Sequence, residues 1–242
     1  MLSKEGPKAA VADINGDGLD DVFIGGAKNQ AGQLYFQTSN GFQKLQTNTF
    51  VQDKDAEDVA VLFFDDDGDG DQDLFIGSGG NQEPPRSKAL QHRLYLNDGK
   101  GNFSKSLNNF SENSSNISVA AACDYDHDGD LDLFVGGRSL SYNYGASPIS
   151  YIYENNGKGI FTDVTKQVAP AIEKIGMVTD AVWANIVGDS TKELIIVGEW
   201  MTPRIFSVNK GLFTEVKTNL DNKYGWWQTL KVADMEDRRA HV

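Results

Sequence analysis

An all-β fold of repeated four-stranded sheets is predicted by three features of this 242-residue sequence. A nine-residue acidic loop occurs three times, at 13–21, 65–73 and 124–132. Each copy runs into an apolar strand that ends in glycine, and a third strand and a glycine-rich turn follow. The chain between the loops alternates short apolar runs with turn residues and lacks helical periodicity. Four short strands in each repeat predict a β-propeller.

The loop starts define the repeat. Intact loops start at Asp13, Asp65 and Asp124, and a decayed and a truncated copy start near Asn185 and Asp234, so the spacings are 52, 59, 61 and 49 residues. These spacings predict one domain over 1–242, made of about four blades and the start of a fifth. The predicted blades are 1–52, 53–112, 113–172 and 173–222, with a partial blade at 223–242.

Propellers close with about 4–8 blades, and each blade needs a neighbour to cover its faces. We therefore expect this chain to be part of a larger propeller. We also expect it to self-associate through its open blade edges.

The strands of each unit follow from their apolar runs. A first strand such as Ala60–Phe64 enters the acidic loop, and a second strand leaves it. A tight turn of the kind that supplies positive φ, Asn97–Gly101 or Asn155–Gly159, joins the third strand to a fourth. The predicted third strands are Gln33–Phe36, Arg93–Leu96, Tyr151–Tyr153 and Arg204–Phe206, and the fourth segments begin at Phe42, Phe103, Phe161 and Phe213.

The acidic loops are typical of calcium sites. Oxygen-bearing side chains occupy loop positions 1, 3, 5 and 9, position 7 offers its backbone carbonyl, and a glycine at position 6 permits the sharp turn. We therefore expect three Ca2+ sites. The predicted ligands are Asp13, Asn15, Asp17, Leu19 and Asp21; Asp65, Asp67, Asp69, Asp71 and Asp73; and Asp124, Asp126, Asp128, Asp130 and Asp132.

These loops differ from an EF-hand, which needs a bidentate Glu at position 12 and flanking helices. Position 12 is Ile24, Ile76 or Val135, which we expect to be buried strand residues, so the closing carboxylate must come from position 9. A solvated acidic turn is the alternative interpretation. It does not explain why oxygen ligands return at the same four positions three times. Magnesium fits such flexible loops less well than calcium.

The fourth loop tests the rule. Asn185, Val187, Asp189 and Glu193 occupy its positions 1, 3, 5 and 9. Valine cannot bind a metal, and Ser190 replaces the glycine, so this loop is predicted to be metal-free. The strand after it, 194–197, is still predicted to be buried.

The charge balance supports a structural role for the ions. The net charge is −13, and 15 of the 35 acidic residues lie in the three intact loops. Three Ca2+ would cancel about six of these charges and reverse the repulsion between the carboxylates. Excess negative charge excludes nucleic acid as a partner, and no apolar run is long enough for membrane insertion. The single cysteine, Cys123, excludes an internal disulfide framework and is expected to be buried.

Calcium loops of this kind suit compartments rich in calcium, so we expect an exported protein outside the cell or at its surface. The N-terminal residues lack the apolar segment of a signal peptide, and the first repeat begins almost at once. We therefore expect the chain to be an excised piece whose export signal lies elsewhere.

With these motifs in place, the chain resembles the FG-GAP/VCBS repeat family of calcium-loop propellers, found in integrin α-chains, cartilage acidic proteins and bacterial surface proteins. The segments Gly198–Trp200 and Tyr224–Trp227 are similar to bacterial members of the cartilage-acidic-protein type. The resemblance implies a propeller with calcium in its blade loops, exported and often devoted to adhesion or polysaccharide handling.

Catalysis finds little support in the sequence. It contains no nucleophile elbow, phosphate-binding loop or His-Glu-x-x-His motif. His127 lies in a calcium loop and is expected to point outward, and His241 lies in the tail. His92 is the best acid–base candidate, although we interpret it as a surface-loop residue. We predict a binding module rather than an enzyme, with a lyase-like polysaccharide-active enzyme as the alternative.

Binding is expected at two variable linkers, Arg138–Ile149 and Gly79–Arg93, because variable connections on a rigid scaffold usually carry function. Tyr142 and Tyr144 in the first linker suit adaptable contacts with a protein or carbohydrate. The four tryptophans, Trp183, Trp200, Trp226 and Trp227, lie in or beside predicted strands and are interpreted as core residues. The sequence thus predicts an extracellular binding or adhesion module stabilised by calcium.

Overall fold

A computed structural model describes residues 6–188 and 191–233 of the chain. These residues form four antiparallel four-stranded sheets, each with its strands in sequence order. One helix of a single turn, α1 (Thr165–Val168), lies between the third and fourth sheets. The all-β fold is confirmed, and the sheets are the blades of a β-propeller. None of the described helices is both long enough and apolar enough to span a bilayer.

The blades have the following strands. Blade 1 contains β1 (Ala9–Ala12), β2 (Asp21–Ile24), β3 (Gln33–Thr38) and β4 (Gly41–Lys44), and blade 2 contains β5 (Glu57–Phe64), β6 (Asp73–Gly79), β7 (Arg93–Leu96) and β8 (Ser104–Lys105). Blade 3 contains β9 (Asn116–Cys123), β10 (Asp132–Ser139), β11 (Tyr151–Asn155) and β12 (Phe161–Asp163), and blade 4 contains β13 (Met177–Ala184), β14 (Glu193–Met201), β15 (Arg204–Asn209) and β16 (Leu212–Glu215).

A hydrophobic core fills each gap between neighbouring blades. Because side chains alternate along a strand, β6 sends Leu74 and Ile76 toward blade 1 and Phe75 toward blade 3. In the same way, β10 sends Leu133 toward blade 2 and Phe134 toward blade 4. Burial of one such phenylalanine contributes about 1.5–3 kcal/mol. Each blade is therefore stabilised by the residues that it shares with its neighbours.

The first strands of successive blades lie next to one another, β1 beside β5, β5 beside β9 and β9 beside β13. Because the strands are antiparallel, the acidic loops and the hairpins between third and fourth strands share one end of each blade. We call this the loop end. The linkers between second and third strands, and those between blades, lie at the opposite end, which we call the linker end.

Two regions differ from the prediction. Gly225–Trp226 form a short strand, β17, that pairs with β14 and extends the sheet of blade 4. The predicted fifth loop at Asp234 lies outside the described residues. On blade 1, Val11 and Ile24 are 58% and 42% exposed, so the prediction that Ile24 is buried was wrong. Its side chain lies on the face of blade 1 that no other described blade covers.

Candidate metal centres and binding surfaces

The first residue of each acidic loop organises the turn through its carboxylate. Asp65 accepts hydrogen bonds from the backbone N–H groups of Gly68 at 2.8 Å and Gly70 at 3.0 Å. Gly70 has φ of +91°, a conformation that favours glycine, as the sequence predicted for position 6. Asp13 makes the equivalent contacts with Gly16 and Gly18, and the hydrogen bond from Gly18 is the main reason that its pKa is lowered.

Positions 1, 3 and 9 converge in the second and third loops. Carboxylate oxygens of Asp65, Asp67 and Asp73 all lie within 4.8 Å of one another. Ca2+ binds oxygen at about 2.3–2.6 Å, so ligands that share one ion are at most about 5 Å apart. The spacing therefore fits one calcium ion in each loop. The equivalent group in the third loop is Asp124, Asp126 and Asp132.

Position 9 is the buried member of each group. Asp73 accepts the backbone N–H of Asp66 at 3.1 Å and that of Asn97 at 2.8 Å. Asp132 makes the same pair of contacts, with Tyr125 at 3.3 Å and Asn155 at 2.9 Å. Burial raises the pKa of Asp132 to about 7. A bound cation would favour its ionised form, because it supplies the opposite charge that the protein lacks there.

Positions 5 and 7 lie outside these groups. Asp69 accepts the N–H of Asp71, two residues later, at 2.9 Å. Asp17 and Asp128 each accept the N–H of the residue two positions later in the same way. A Cβ added at Gly99 would lie 2.5 Å from a carboxylate oxygen of Asp71, so the position-7 side chain faces the neighbouring hairpin. A ligand role for position 5, and for the backbone carbonyl of position 7, stays a prediction.

The first loop carries an amide at position 3. The side-chain oxygen of Asn15 accepts the N–H of Asp17 at 3.0 Å, and Asp21 is buried with a pKa raised mainly by its burial. Asp21 accepts the N–H groups of Ile14 and Gln37, as position 9 does in the other loops. Its calcium site also stays a prediction.

The fourth loop keeps part of this framework. Glu193 is fully buried and accepts the N–H groups of Ile186 at 2.9 Å and Val187 at 3.2 Å. Asn185 accepts the N–H of Gly188 at 2.9 Å. Val187, at position 3, is 57% exposed. Asp189 and Ser190 lie outside the described residues, so the metal-free prediction rests on Val187.

Two asparagines connect the hairpin of one blade to the acidic loop of the blade before it. These contacts were not predicted from the sequence. Asn97, in the hairpin of blade 2, donates from its side chain to the carbonyl of Ile14 in the loop of blade 1 at 2.8 Å. Asn155, in the hairpin of blade 3, donates to the carbonyl of Asp66 in the loop of blade 2 at 2.7 Å. We call these contacts the asparagine latches. Each latch fixes an acidic loop against the next blade.

Asp66 is the unusual residue of the second loop. Its side chain is 1% exposed, and its carboxyl oxygens have no hydrogen-bond partner among the described residues. Burial, reinforced by nearby Asp73, raises its pKa to about 9, so it is neutral at pH 7. The other loops have Ile14 and Tyr125 at this position, and that contrast is a sequence signal that could have found it.

The linker end carries an exposed aromatic surface formed by Tyr144, Trp200 and Trp226. These residues are 46%, 54% and 56% exposed, and ring centroids lie 5.4 Å apart for Tyr144–Trp200 and 5.5 Å apart for Trp200–Trp226. The core interpretation was therefore wrong for Trp200 and Trp226, and also for Trp227, which is 38% exposed. Trp183 is partly buried against the core between blades 3 and 4.

A buried ion pair supports this aromatic surface. Glu199 accepts hydrogen bonds from Arg138 at 2.5 Å and from the Tyr144 hydroxyl at 2.7 Å. Burial opposes ionisation of Glu199, but these hydrogen bonds and the arginine charge hold its pKa below the usual value. Trp200 has φ of +55°, which is rare for a bulky residue and is found at functional sites. The Tyr144 ring is thus anchored through its hydroxyl, and the Trp200 and Trp226 rings pack beside it.

His92 is buried, and its interpretation as a surface residue was wrong. It is 8% exposed and lies 5.5–5.9 Å from the rings of four aromatic residues. Burial, followed by the charge of Arg93, lowers its pKa to about 3, so it is neutral at pH 7. His127 is exposed as predicted, Cys123 is buried as predicted, and His241 lies outside the described residues.

The sequence model of the FG-GAP-like repeat matches residues 13–76 and 65–135, two segments that each span a pair of acidic loops. The chain belongs to the FG-GAP-like repeat family. No curated protein matches it.

Among solved structures, this FG-GAP chain is similar to a lectin of Agrocybe aegerita, described as recognising non-reducing terminal N-acetylglucosamine. The two are 20% identical with a TM-score of 0.53. The match covers 88% of this chain and 51% of the lectin, so the chain spans about half the length of that structure. At this identity, the similarity supports the fold alone.

Proposed function

We propose that this protein is an extracellular, calcium-stabilised propeller module that binds carbohydrate and has no catalytic activity. The observation that carries the proposal is the separation of two features. Converging carboxylates lie at the loop end of blades 2 and 3, and an exposed aromatic surface lies at the linker end. In this proposal, the ions hold the blades and the aromatic surface holds the ligand.

Calcium in all three intact loops has a structural role in this proposal. Each loop joins the first and second strands of a blade, where several carboxylates would repel one another without a cation. An ion that binds only the folded loop stabilises the fold by mass action. Export follows from the same point, since loops of moderate affinity fill where calcium is abundant.

Carbohydrate is the ligand class that the aromatic surface favours. Sugar rings present apolar C–H faces beside hydroxyl groups, and rigid aromatic side chains offer large contact areas at low entropic cost. Tyr144 and Trp200 provide such faces next to the polar Glu199 and Gln228. A protein ligand at this surface is the alternative occupant.

The enzymatic alternative, a polysaccharide lyase, needs an accessible base near its substrate. His92 was the acid–base candidate, and its burial in an aromatic environment and its low pKa remove the basis for that assignment. We therefore propose binding without catalysis.

The test is binding to immobilised polysaccharides with calcium present. We expect the wild-type protein to bind at least one polysaccharide, and Trp200→Ala to weaken that binding at least tenfold while the melting temperature stays within a few degrees. Phe42→Ala is the matched control, because it removes a 58% exposed aromatic ring from blade 1, far along the chain from this surface. Equal binding by all three proteins would contradict the proposal, and depolymerisation of the polysaccharide would favour the lyase.

A further inference from the structure

The linker between the second and third strands of blade 3 carries another exposed tyrosine beside the aromatic surface. Tyr142 is 73% exposed and stands two residues before Tyr144. Since an extended backbone advances at most about 3.6 Å per residue, the Cα atoms of the two tyrosines are no more than roughly 7 Å apart. A ligand made of a few linked sugar rings can therefore reach both side chains.

The two tyrosines connect blade 3 to different neighbours. The Tyr142 hydroxyl donates to the backbone carbonyl of Gln82, in the linker between the second and third strands of blade 2, at 2.6 Å. The Tyr144 hydroxyl donates to Glu199 of blade 4 at 2.7 Å. Tyr142 and the three rings of the aromatic surface thus form a series of exposed rings that runs from blade 4 across blade 3 toward blade 2. We call this series the aromatic row.

The backbone of this linker is folded into two successive turns. Asn143 donates its N–H to the carbonyl of Leu140 at 3.1 Å, and Ala146 donates to the carbonyl of Asn143 at 3.4 Å. Tyr142 has φ of +62°, and Trp200 has φ of +55°. Left-handed backbone is unfavourable for residues of this size and clusters at binding sites. Packing in the core does not explain this conformation, because both side chains are exposed.

The surface between these rings is uncharged. The linker has no charged residue between Arg138 and Glu154. Nearby charges are paired with each other: Arg138 donates to Glu199 at 2.5 Å, and Lys28 of blade 1 pairs with Glu83 in the linker of blade 2. A charged ligand would lose hydration against this linker without gaining an ion pair from it. The chemistry of the linker therefore favours a neutral ligand.

We propose that the aromatic row binds one neutral polysaccharide chain, extended across blades 4, 3 and 2, with Tyr142 as a further contact residue. This inference rests on the proposed function, because it keeps carbohydrate as the ligand of the aromatic surface and adds the length and charge of that ligand. Successive sugar rings can stack on successive exposed aromatic faces. Since one chain links these contacts, the second contact forms at a high effective concentration, which raises the affinity for a longer chain.

The test is isothermal titration of the calcium-loaded protein with oligosaccharides of two and six sugar units. The neutral probes are the cello-, xylo-, manno-, malto- and chito-oligosaccharides, and oligogalacturonates are the acidic probes. We expect a neutral hexamer to bind at least about tenfold more tightly than its dimer. Trp200→Ala should weaken the binding of both lengths, because its ring belongs to the aromatic surface.

Tyr142→Ala is the deciding variant, and it should bring the ratio of the dimer and hexamer dissociation constants close to one. Tyr142→Asn should have the same effect. Asparagine tolerates positive φ better than most residues, so this second variant separates loss of the ring from rearrangement of the linker. Tyr142→Phe keeps the ring and should keep most of the ratio.

Stability and a distant aromatic residue provide the controls. All three Tyr142 variants should melt within a few degrees of the wild type, because they alter an exposed side chain. Phe42→Ala is the matched control, since it removes an exposed ring from blade 1 at the start of its fourth strand, at the loop end. It should leave the ratio unchanged.

Several outcomes would overturn the inference while carbohydrate binding at the aromatic surface stands. These are equal affinity for dimer and hexamer, a hexamer preference that persists in Tyr142→Ala, and tighter binding of an oligogalacturonate than of every neutral hexamer. A loss in Tyr142→Phe as large as that in Tyr142→Ala would also overturn it, because the hydroxyl and not the ring would then be responsible. Binding of no oligosaccharide would overturn the proposed function as well, so the two failures are distinguishable.

Discussion

The second and fourth acidic loops have the same framework but different ligands. In both, the position-9 carboxylate is buried and accepts the N–H of position 2: Asp73 accepts that of Asp66 at 3.1 Å, and Glu193 accepts that of Ile186 at 2.9 Å. In both, position 1 accepts the N–H of a glycine at position 4, at 2.8 and 2.9 Å. Positions 1 and 9 keep an oxygen-bearing side chain, as Asn185 and Glu193, whereas position 3 changes from Asp67 to the exposed Val187.

This difference separates two roles within one loop. Positions 1 and 9 shape the turn, because their oxygens satisfy backbone N–H groups whether or not a metal binds. Position 3 is a predicted ligand, and its replacement by Val187 leaves the contacts of positions 1 and 9 in place. Among the described residues, one carboxylate oxygen of Glu193 has no hydrogen-bond partner, whereas the corresponding oxygen of Asp73 accepts the N–H of Asn97. The fourth loop therefore shows which contacts a blade keeps when position 3 carries no oxygen.

Removal of calcium should have the largest effect. At a free concentration one hundred times the dissociation constant, each ion contributes about 2.7 kcal/mol, so three ions contribute about 8 kcal/mol. For a domain of this size, about 1 kcal/mol corresponds to 2–4 °C. We expect EDTA to lower the melting temperature by about 10 °C or more, measured by calorimetry. An unchanged melt in EDTA would contradict the structural role of calcium, and magnesium in place of calcium is the control.

Asp73→Ala should have the next largest effect, because this residue serves both the turn and the metal group. It leaves the N–H groups of Asp66 and Asn97 without their acceptor, and it removes one ligand. We expect a larger loss of melting temperature in calcium than in EDTA. Glu193→Ala is the matched variant in the fourth loop, and its loss should be equal in the two conditions. A calcium-dependent loss in Glu193→Ala would mean that the fourth loop binds metal.

Asp67→Val converts position 3 of the second loop to the residue of the fourth. We expect it to remove one of the calcium ions bound per chain, and to lower the melting temperature in calcium by about 5 °C, the share of one ion. In EDTA it should have little effect, since the turn framework remains. Val187→Ala is the control and should change neither value. Unchanged stoichiometry in Asp67→Val, measured by calcium titration, would exclude position 3 as a ligand.

The pH dependence should be smaller but has a definite sign. Asp132 has a pKa of about 7 in the folded chain against 3.8 for a free side chain, so the folded state holds an extra proton between these values. For the protein in EDTA, the contribution of Asp132 to the free energy of unfolding therefore falls as pH rises from 5 to 8. Bound calcium removes that loss. The rise in melting temperature on adding calcium should thus be larger at pH 8 than at pH 5, and Asp132→Asn should reduce the difference.

Much of the fold was predictable from sequence because its signals are local and repeated. The acidic loops and strands such as β7 follow from residue types at fixed positions, whereas the burial of the position-9 aspartates was not predicted. His92 and Trp200 could not be placed in this way. His92 stands among polar linker residues in the sequence, which is typical of a surface position. The four aromatic rings that bury it come from distant parts of the chain, so only the fold shows them. Trp200 stands at the end of an apolar strand, which is typical of a core residue. Its positive φ, which places the ring outside the core, could not be read from the sequence.

Both asparagine latches run in the same sense along the chain, from the hairpin of one blade to the loop of the blade before it. Asn97 and Asn155 each donate a hydrogen bond to the acidic loop of the preceding blade. A change in the conformation of one loop would therefore also affect the blade that follows it. Loss of an ion would loosen a joint between two blades rather than a single turn. If calcium fills these loops, each ion would stiffen the contact between two blades, so the calcium concentration of the surrounding medium, and not the polypeptide alone, would set how rigidly the blades are held together.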